Sequence, residues 1–292
     1  MRPPLFEYQA PRTVGETLDL LAHAPEDTSI LAGGQSLVPM LNMRLARPDL
    51  VVDLNRVQGL DGVEQDGASA TIRIGAMVRQ HVLETSPLLR DRLPLLTEAA
   101  GHIAHIAIRS RGTVGGSLAH ADPAAELPAA MTALGARVVL CSRGGDRTVD
   151  VAEFFEGPLM TALAPGELLT AIEVDVPPPD TGSAFVEVAR THGAFALVCA
   201  AALVCVGADG RIDFARLALG GVGGVPYVPE WLDEAVVGTA PDAALFAGVG
   251  NRIGKNLRVS DDEHGSYRRK VSGVLAARAL TAAASRSGAG PA

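Results

Sequence analysis

Cysteine is nearly absent: Cys141, Cys199 and Cys205 are all the chain has in 292 residues, and no two stand in a CxxC spacing. Iron–sulfur clusters and structural zinc of the usual kinds are therefore excluded, and reduced thiols in the cytoplasm are the plain expectation. Positive charge is also short. The formal balance of −8 argues against a nucleic-acid binder, whose footprint should be basic. No apolar run approaches a membrane span, and the opening MRPPLFEYQAPRT lacks the apolar core of a secretory signal. Among catalytic signatures, GxxxxGK followed by Ser or Thr, GxSxG and HExxH are all missing, so P-loop, α/β-hydrolase and zincin readings lose their cheapest support. No paired acid and base stands out as a catalytic dyad.

What the chain has is small residues in two places. Arg109 to Pro128 reads RSRGTVGGSLAHADPAAELP. Paired glycines beside Thr113 and Ser117 can take φ > 0 and turn successive N–H groups toward an anion. Asp122 is a good helix N-cap, Pro123 suits the first helical position, and Glu126 falls near the place where a capping box wants a carboxylate. A glycine-rich turn running into a helix N-terminus is a recurrent phosphate cradle; a tight loop before a well-capped core helix explains the same residues. A second stretch shifts the balance. Ser29-Ile30-Leu31 runs into Ala32-Gly33-Gly34-Gln35-Ser36-Leu37, again a diglycine followed by a hydroxyl at a strand end. Two such loops could each hold part of one diphosphate.

The segments LAGGQSLVPMLNMRLARPDLVVDL and IRSRGTVGGSLAHADPAAELPA resemble the two FAD-binding signatures of the flavoprotein (medium) subunit of molybdenum hydroxylases, the carbon-monoxide dehydrogenase and xanthine dehydrogenase family. The carboxy-terminal YRRKVSGVLAARAL resembles that family's last helix. The likeness covers nearly the whole chain. It implies an α+β fold: a vanillyl-alcohol-oxidase (PCMH)-type FAD-binding domain in two lobes, then an antiparallel sheet with helices. It places FAD on Ala32, Gly33, Gly34, Gln35, Ser36 and Leu37, and on Thr113, Gly115, Gly116, Ser117 and Ala121. Asp122 is expected at the ribityl–pyrophosphate region, Glu126 at the ribityl chain, and Phe195 against the flavin ring. Ordinary capping for the two acids, and core packing for Phe195, are the alternatives. Phe195 stands in RTHGAFA where relatives often read RRxGDYA or RRxGDFA, so Ala194 lacks a carboxylate and Thr191 an arginine. Ala107 and Ser110 replace a frequent glutamine and asparagine. Some relatives carry an inserted cysteine cluster, and nothing here corresponds to it. Arg109 and Arg111 flank the second motif, beside the diphosphate or at a subunit contact.

A chain of this length is long for one core, so two domains are the natural expectation. Thr13 to His23 reads as a helix with Val14, Leu18 and Leu21 on one face. Val51 to Leu54 and Ala70 to Ile74 read as strands, and Gly144-Gly145 as a hairpin turn between Arg137–Cys141 and Arg147–Asp150. Pro177-Pro178-Pro179 cannot continue a strand and marks the domain boundary. Residues 1–176 are expected to form the FAD domain (lobes 1–56 and 57–176), residues 180–286 the second domain, and 287–292 a disordered tail. Within the second domain Ala184–Arg190, Ala196–Val206 and Ile212–Leu219 read as an antiparallel meander, followed by helices ending with Tyr267–Ala284. His102 and His105 stand i and i+3 with His120 nearby in sequence; a metal site would want a third ligand and a second shell, and imidazoles near a loop or a subunit interface are the commoner reading. Gly220 to Gly224 lacks the third spaced glycine and helix of a dinucleotide fingerprint and reads as a strand-end loop.

The expectation is thus an FAD-bearing electron-transfer subunit without a catalytic acid or base of its own. The resemblance implies a large partner with the molybdenum cofactor and a small partner with two 2Fe-2S clusters, assembled as a dimer of heterotrimers. Two rivals are a stand-alone FAD-dependent oxidase or reductase, for which no substrate base is visible, and a flavin-free scaffold, which the intact glycines oppose.

Overall fold

The computed structural model describes residues 2–65, 67, 70–191, 193–259 and 264–288. The first lobe runs β1 (Glu7–Gln9), α1 (Val14–Ala22), β2 (Thr28–Leu31), α2 (Leu37–Asn42) and β3 (Leu50–Asp53). Its three strands are parallel, in the order β1-β3-β2. The central strand is set by burial, since Val51 and Val52 are wholly enclosed. Helix α1 starts where the sequence places it: Thr13 Oγ1 accepts the Glu16 N–H, and Glu16 reaches back to the Arg12 N–H.

The second lobe runs β4 (Val63–Gln65), β5 (Thr71–Gly75), α3 (Gln80–Thr85), α4 (Pro87–Arg92), α5 (Pro94–His102), α6 (Ile106–Arg109), α7 (Val114–His120) and α8 (Glu126–Leu134). It continues with β6 (Arg137–Ser142), β7 (Gly145–Asp150), α9 (Val151–Phe154), β8 (Phe155–Gly157), β9 (Met160–Thr161) and β10 (Leu168–Asp175). An antiparallel sheet of order β4-β5-β10-β6-β7 forms one wall. Helix α8 lies inside the molecule. Every residue in it is buried, as an apolar run without a polar face requires.

The remaining elements are β11 (Thr181–Ala189), β12 (Ala196–Val206), β13 (Ile212–Gly220), α10 (Leu232–Val236), α11 (Ala243–Asn256) and α12 (Gly265–Arg286). The three strands form the expected antiparallel meander. Strand β12 reads ALVCAAALVCV because both of its faces are covered. Cys199, Ala201 and Leu203 join the core of the second lobe, while Val198, Ala200, Ala202 and Val204 face the core under α11 and α12. The two domains therefore share packing. Polar ties reinforce it: Glu98 of α5 accepts the Phe185 N–H of β11 and an Arg286 N–H of α12, and Gly221 N–H donates to Pro123 O.

Ser287 and Gly288, expected in the tail, are anchored: the Ser287 hydroxyl and the Gly288 N–H both donate to Asp180 O. Residues 289–292 lie outside the described residues. No helix among the described residues is long and apolar enough to cross a membrane.

Candidate functional site

The first diglycine loop connects β2 to α2. Gly34 has φ +74, a left-handed conformation that costs glycine little. The turn leaves the N–H groups of Gly33, Gly34, Gln35, Ser36 and Leu37 without an acceptor among the described residues. Five successive free donors, all on residues that are at least partly buried, make a concentrated anion-binding surface.

The second motif differs from its sequence reading. Gly115 and Gly116 do not sit in a positive-φ turn; they lie inside α7. Their N–H groups are already used. Gly115 donates to Ala76 O at 2.8 Å, and Gly116 to Thr113 Oγ1 at 3.1 Å. The glycines serve close approach instead. A Cβ on Gly115 would lie 2.5 Å from that of Ala76, and one on Gly116 would lie 3.3 Å from that of Ala32. Thr113, capping α7, and the antiparallel bridge between Arg79 and Thr113 convert the expected cradle into a rigid floor. The first loop rests on that floor. A Cβ on Gly33 would lie 2.7 Å from Gly112 Cα and closer still to the Arg111 carbonyl.

A set of side chains that the sequence reading did not single out joins the two motifs. Arg79 donates to Arg111 O at 2.5 Å and to Asn55 Oδ1 at 2.7 Å, and Asn55 Nδ2 donates to Ala32 O at 2.9 Å. Asp53 accepts from Asn55 N–H at 2.8 Å and from the Tyr8 hydroxyl at 2.5 Å. Burial alone would raise the Asp53 carboxyl, but the hydrogen bonds from Tyr8 and Asn55 hold it below its ordinary value. Apart from the Asp53–Asn55 contact, the partners are distant in sequence, so no local pattern marks the set.

The acidic end also departs from expectation. Helix α8 begins at Glu126 itself, after an extended Ala125 that gives no side-chain cap. Asp122 does not cap α8; its Oδ1 accepts the Ala124 N–H at 2.9 Å, after Ala121 has closed α7 with φ +50. The capping box is not formed, which leaves capping out as the explanation of Glu126. That residue is 5% exposed. Burial, with Glu187 and Asp122 nearby, pushes its carboxyl up to about 7, against the opposing pull of its own N–H and His102. Across the domain junction, Glu187 Oε1 lies 3.2 Å from His102 Nδ1, and its other oxygen is buried without a hydrogen-bond partner among the described residues. That contact chiefly raises the His102 imidazole above its usual range, burial opposing.

Phe195 is not core: it is 65% exposed, just before β12. The preceding turn is held by Gly193, with φ +77, which packs on the His105 ring. Arg109 is 9% exposed and binds Glu84 through two nitrogens as well as the carbonyls of Ile103 and Ala104. No group of three metal-ligating side chains occurs among the described residues. Surface clefts of about 390 Å³ beside Pro177–Pro179 and about 630 Å³ beside α1 are lined by none of the cradle residues.

A row of peptide donors, a buried carboxyl at Glu126 with a half-buried one at Asp122, and an exposed aromatic ring suit a flavin dinucleotide. The chain matches the family of the FAD binding domain in molybdopterin dehydrogenase over residues 4–178, and that of the CO dehydrogenase flavoprotein C-terminal domain over residues 183–283. The chain belongs to the molybdenum-hydroxylase flavoproteins. Caffeine dehydrogenase subunit beta of Pseudomonas sp. (strain CBB1) is 40% identical, over 98% of this chain and 97% of that one. The carbon monoxide dehydrogenase medium chain of Afipia carboxidovorans is 37% identical, over 98% and 99%. Among solved structures, carbon monoxide dehydrogenase from Hydrogenophaga pseudoflava superposes with a TM-score of 0.94 at 36% identity, covering 98% of this chain and 100% of that one. Quinoline 2-oxidoreductase from Pseudomonas putida 86 gives 0.91 at 36% identity, covering 98% and 99%. This flavoprotein thus has the medium-subunit fold throughout, and its FAD-binding domain carries the five free donors described above.

Proposed function

We propose that this flavoprotein is the electron-transfer subunit of a heteromeric molybdenum hydroxylase. It takes electrons from a small subunit with two 2Fe-2S clusters and delivers them to an external acceptor. A large subunit with the molybdenum cofactor oxidises the substrate. The assembly is a dimer of heterotrimers in the cytoplasm. Residues 1–176 hold the cofactor, and residues 180–286 cover it.

The single observation that carries this reading is the row of donors from Gly33 to Leu37 left without an acceptor among the described residues, with Gly33 pressed against the backbone of Gly112. Bound FAD supplies reversible two-electron chemistry in its ring. The protein's part is to hold and shield. Gly33 to Leu37 donate to the pyrophosphate, while Thr113, Gly115, Gly116 and Ser117 keep α7 packed beneath them. Asp122 accepts hydrogen bonds at the ribityl–pyrophosphate region and Glu126 from hydroxyls of the ribityl chain, the latter in a site dry enough to raise its carboxyl to about 7. Phe195 covers one face of the ring. No side chain of this chain is assigned proton transfer to substrate.

The test is the visible spectrum of the purified chain, expressed alone and with its partner subunits. Flavin bands near roughly 370 and 450 nm, a property of any oxidised flavin, are expected in one or both preparations. Protein colourless in both would favour a flavin-free scaffold. Turnover of a small substrate by the chain alone would favour a stand-alone oxidase or reductase.

A further inference from the structure

Arg79 stands at the start of α3 in the second lobe, yet its guanidinium reaches both motifs. One nitrogen binds the Arg111 carbonyl, the backbone group against which Gly33 is pressed. Another binds Asn55 Oδ1, and the same Asn55 amide holds the Ala32 carbonyl at the entry to the first loop. Asn55 is itself fixed twice by Asp53, which Tyr8 anchors from β1. A continuous hydrogen-bonded chain therefore runs from β1 of the first lobe to the segment before α7 of the second. Its centre is one planar cation half withdrawn from water, with no ion-pair partner within 4.0 Å among the described residues.

We propose that Arg79 is the positioning residue of the flavin site: a clasp that fixes the distance and tilt of the Gly33–Leu37 donors relative to the α7 floor. The clasp acts through Asn55 and Arg111 O, not by touching the cofactor. Without it the first loop keeps its glycines but loses the tie that aims them, since β2 and β3 belong to one lobe and α7 to the other. Guanidinium is suited to the task because its rigid fork serves two acceptors in one plane; an ammonium on a flexible stem keeps the charge and loses the fixed geometry. This inference rests on the flavin reading, and its test separates the two.

The experiment is titration of FAD into the flavin-depleted protein, in whichever subunit composition retains flavin, followed by fluorescence and by thermal melting of the flavin-free form. The wild type, Arg79→Lys, Arg79→Met, Asn55→Ala and Arg79→Met/Asn55→Ala are compared. A clasp predicts Kd weakened by roughly tenfold or more in both Arg79→Met and Arg79→Lys, the scale of one or two lost charge-assisted hydrogen bonds. It also predicts that the double variant is no worse than the poorer single one, as for residues acting through one path. Flavin-free melting should change far less than affinity, a split that a merely structural role would not give. Should Arg79→Met not fold, Arg79→Lys and Asn55→Ala carry the same comparison. Wild-type affinity in Arg79→Lys would reduce Arg79 to a charge and overturn the clasp, as would additive losses in the double variant. Wild-type protein that takes up no FAD would overturn the flavin reading and the clasp together.

Discussion

Gly33 and Gly112 belong to different lobes, yet a single Cβ on Gly33 would come within 2.7 Å of Gly112 Cα. The atoms in the way are backbone, held by the Arg79 hydrogen bond to Arg111 O, so they have little room to yield. Gly33→Ala is expected to force the loops apart and to cost about 1–3 kcal/mol of stability, the usual scale of overpacking. The loss of FAD affinity should be larger, because all five donors move together. Equilibrium unfolding of the flavin-free protein and FAD titration check both parts. An alanine variant that binds FAD as tightly as wild type would mean that the loop spacing is immaterial.

How much of this was legible in the sequence depends on whether the cause was local. The meander β11–β13, helix α1 and the long α12 were readable because turn residues and apolar periodicity lie within a few positions of what they control. The first loop was readable too, since Gly34 performs the left-handed turn its identity permits. Gly115 and Gly116 were misread for the opposite reason: glycine is used there for close approach to Ala76 and Ala32, residues nearly 40 and more than 80 positions away. The same holds for Asp122, whose expected cap was lost when Ala121 took a left-handed turn and Ala125 stayed extended. Arg79, Asn55 and Tyr8 gave no signal at all. Their role exists only once two lobes are docked.

Arg109, expected beside the diphosphate or at a subunit contact, is instead an internal brace. Its guanidinium binds Glu84 through two nitrogens and also holds the carbonyls of Ile103 and Ala104, the latter residue at φ +38. Arg109→Met would leave a partly buried carboxylate and two carbonyls without their donor. A loss of roughly 1–3 kcal/mol is expected, the scale of hydrogen-bonding groups left partly unmet where Glu84 still reaches solvent. Chemical denaturation measures it directly. The salt dependence of FAD binding should not change in any variant that still folds; a reduced dependence would put Arg109 back beside the diphosphate.

Phe195 gives the converse case, an aromatic side chain exposed at 65% on a turn held by Gly193 and His105. Phe195→Ala should alter the flavin-free stability by no more than about 0.5 kcal/mol, the ordinary range for a surface position. Its effect should appear in the cofactor: brighter flavin fluorescence, because a stacked ring that quenches it is gone, together with weaker retention. A melting point several degrees lower without any flavin change would restore the packing interpretation.

Glu126 allows a prediction whose sign can be worked out. Its carboxyl ionises at about 7 in the folded protein, above the ordinary 4.5, chiefly because it is buried. Below pH 4.5 both folded and unfolded chains carry the proton, and the group imposes no penalty. Between pH 4.5 and 7 the unfolded chain releases it while the folded chain keeps it, so stability falls as pH rises through that window. Asp175, held down to about 2 chiefly by Arg137, acts in the other direction and only at more acid pH. His102, whose imidazole is raised chiefly by Glu187, also loses its stabilising contribution as pH rises near neutrality, and its titration is coupled to Glu126. Glu126→Gln removes the buried acid while keeping its shape. Relative to wild type it should gain on the order of 3 kcal/mol between pH 4 and pH 8, with any remaining neutral slope belonging to His102. Urea unfolding of both proteins across that range decides it: parallel stability curves would show that Glu126 is already ionised when the domains close over it.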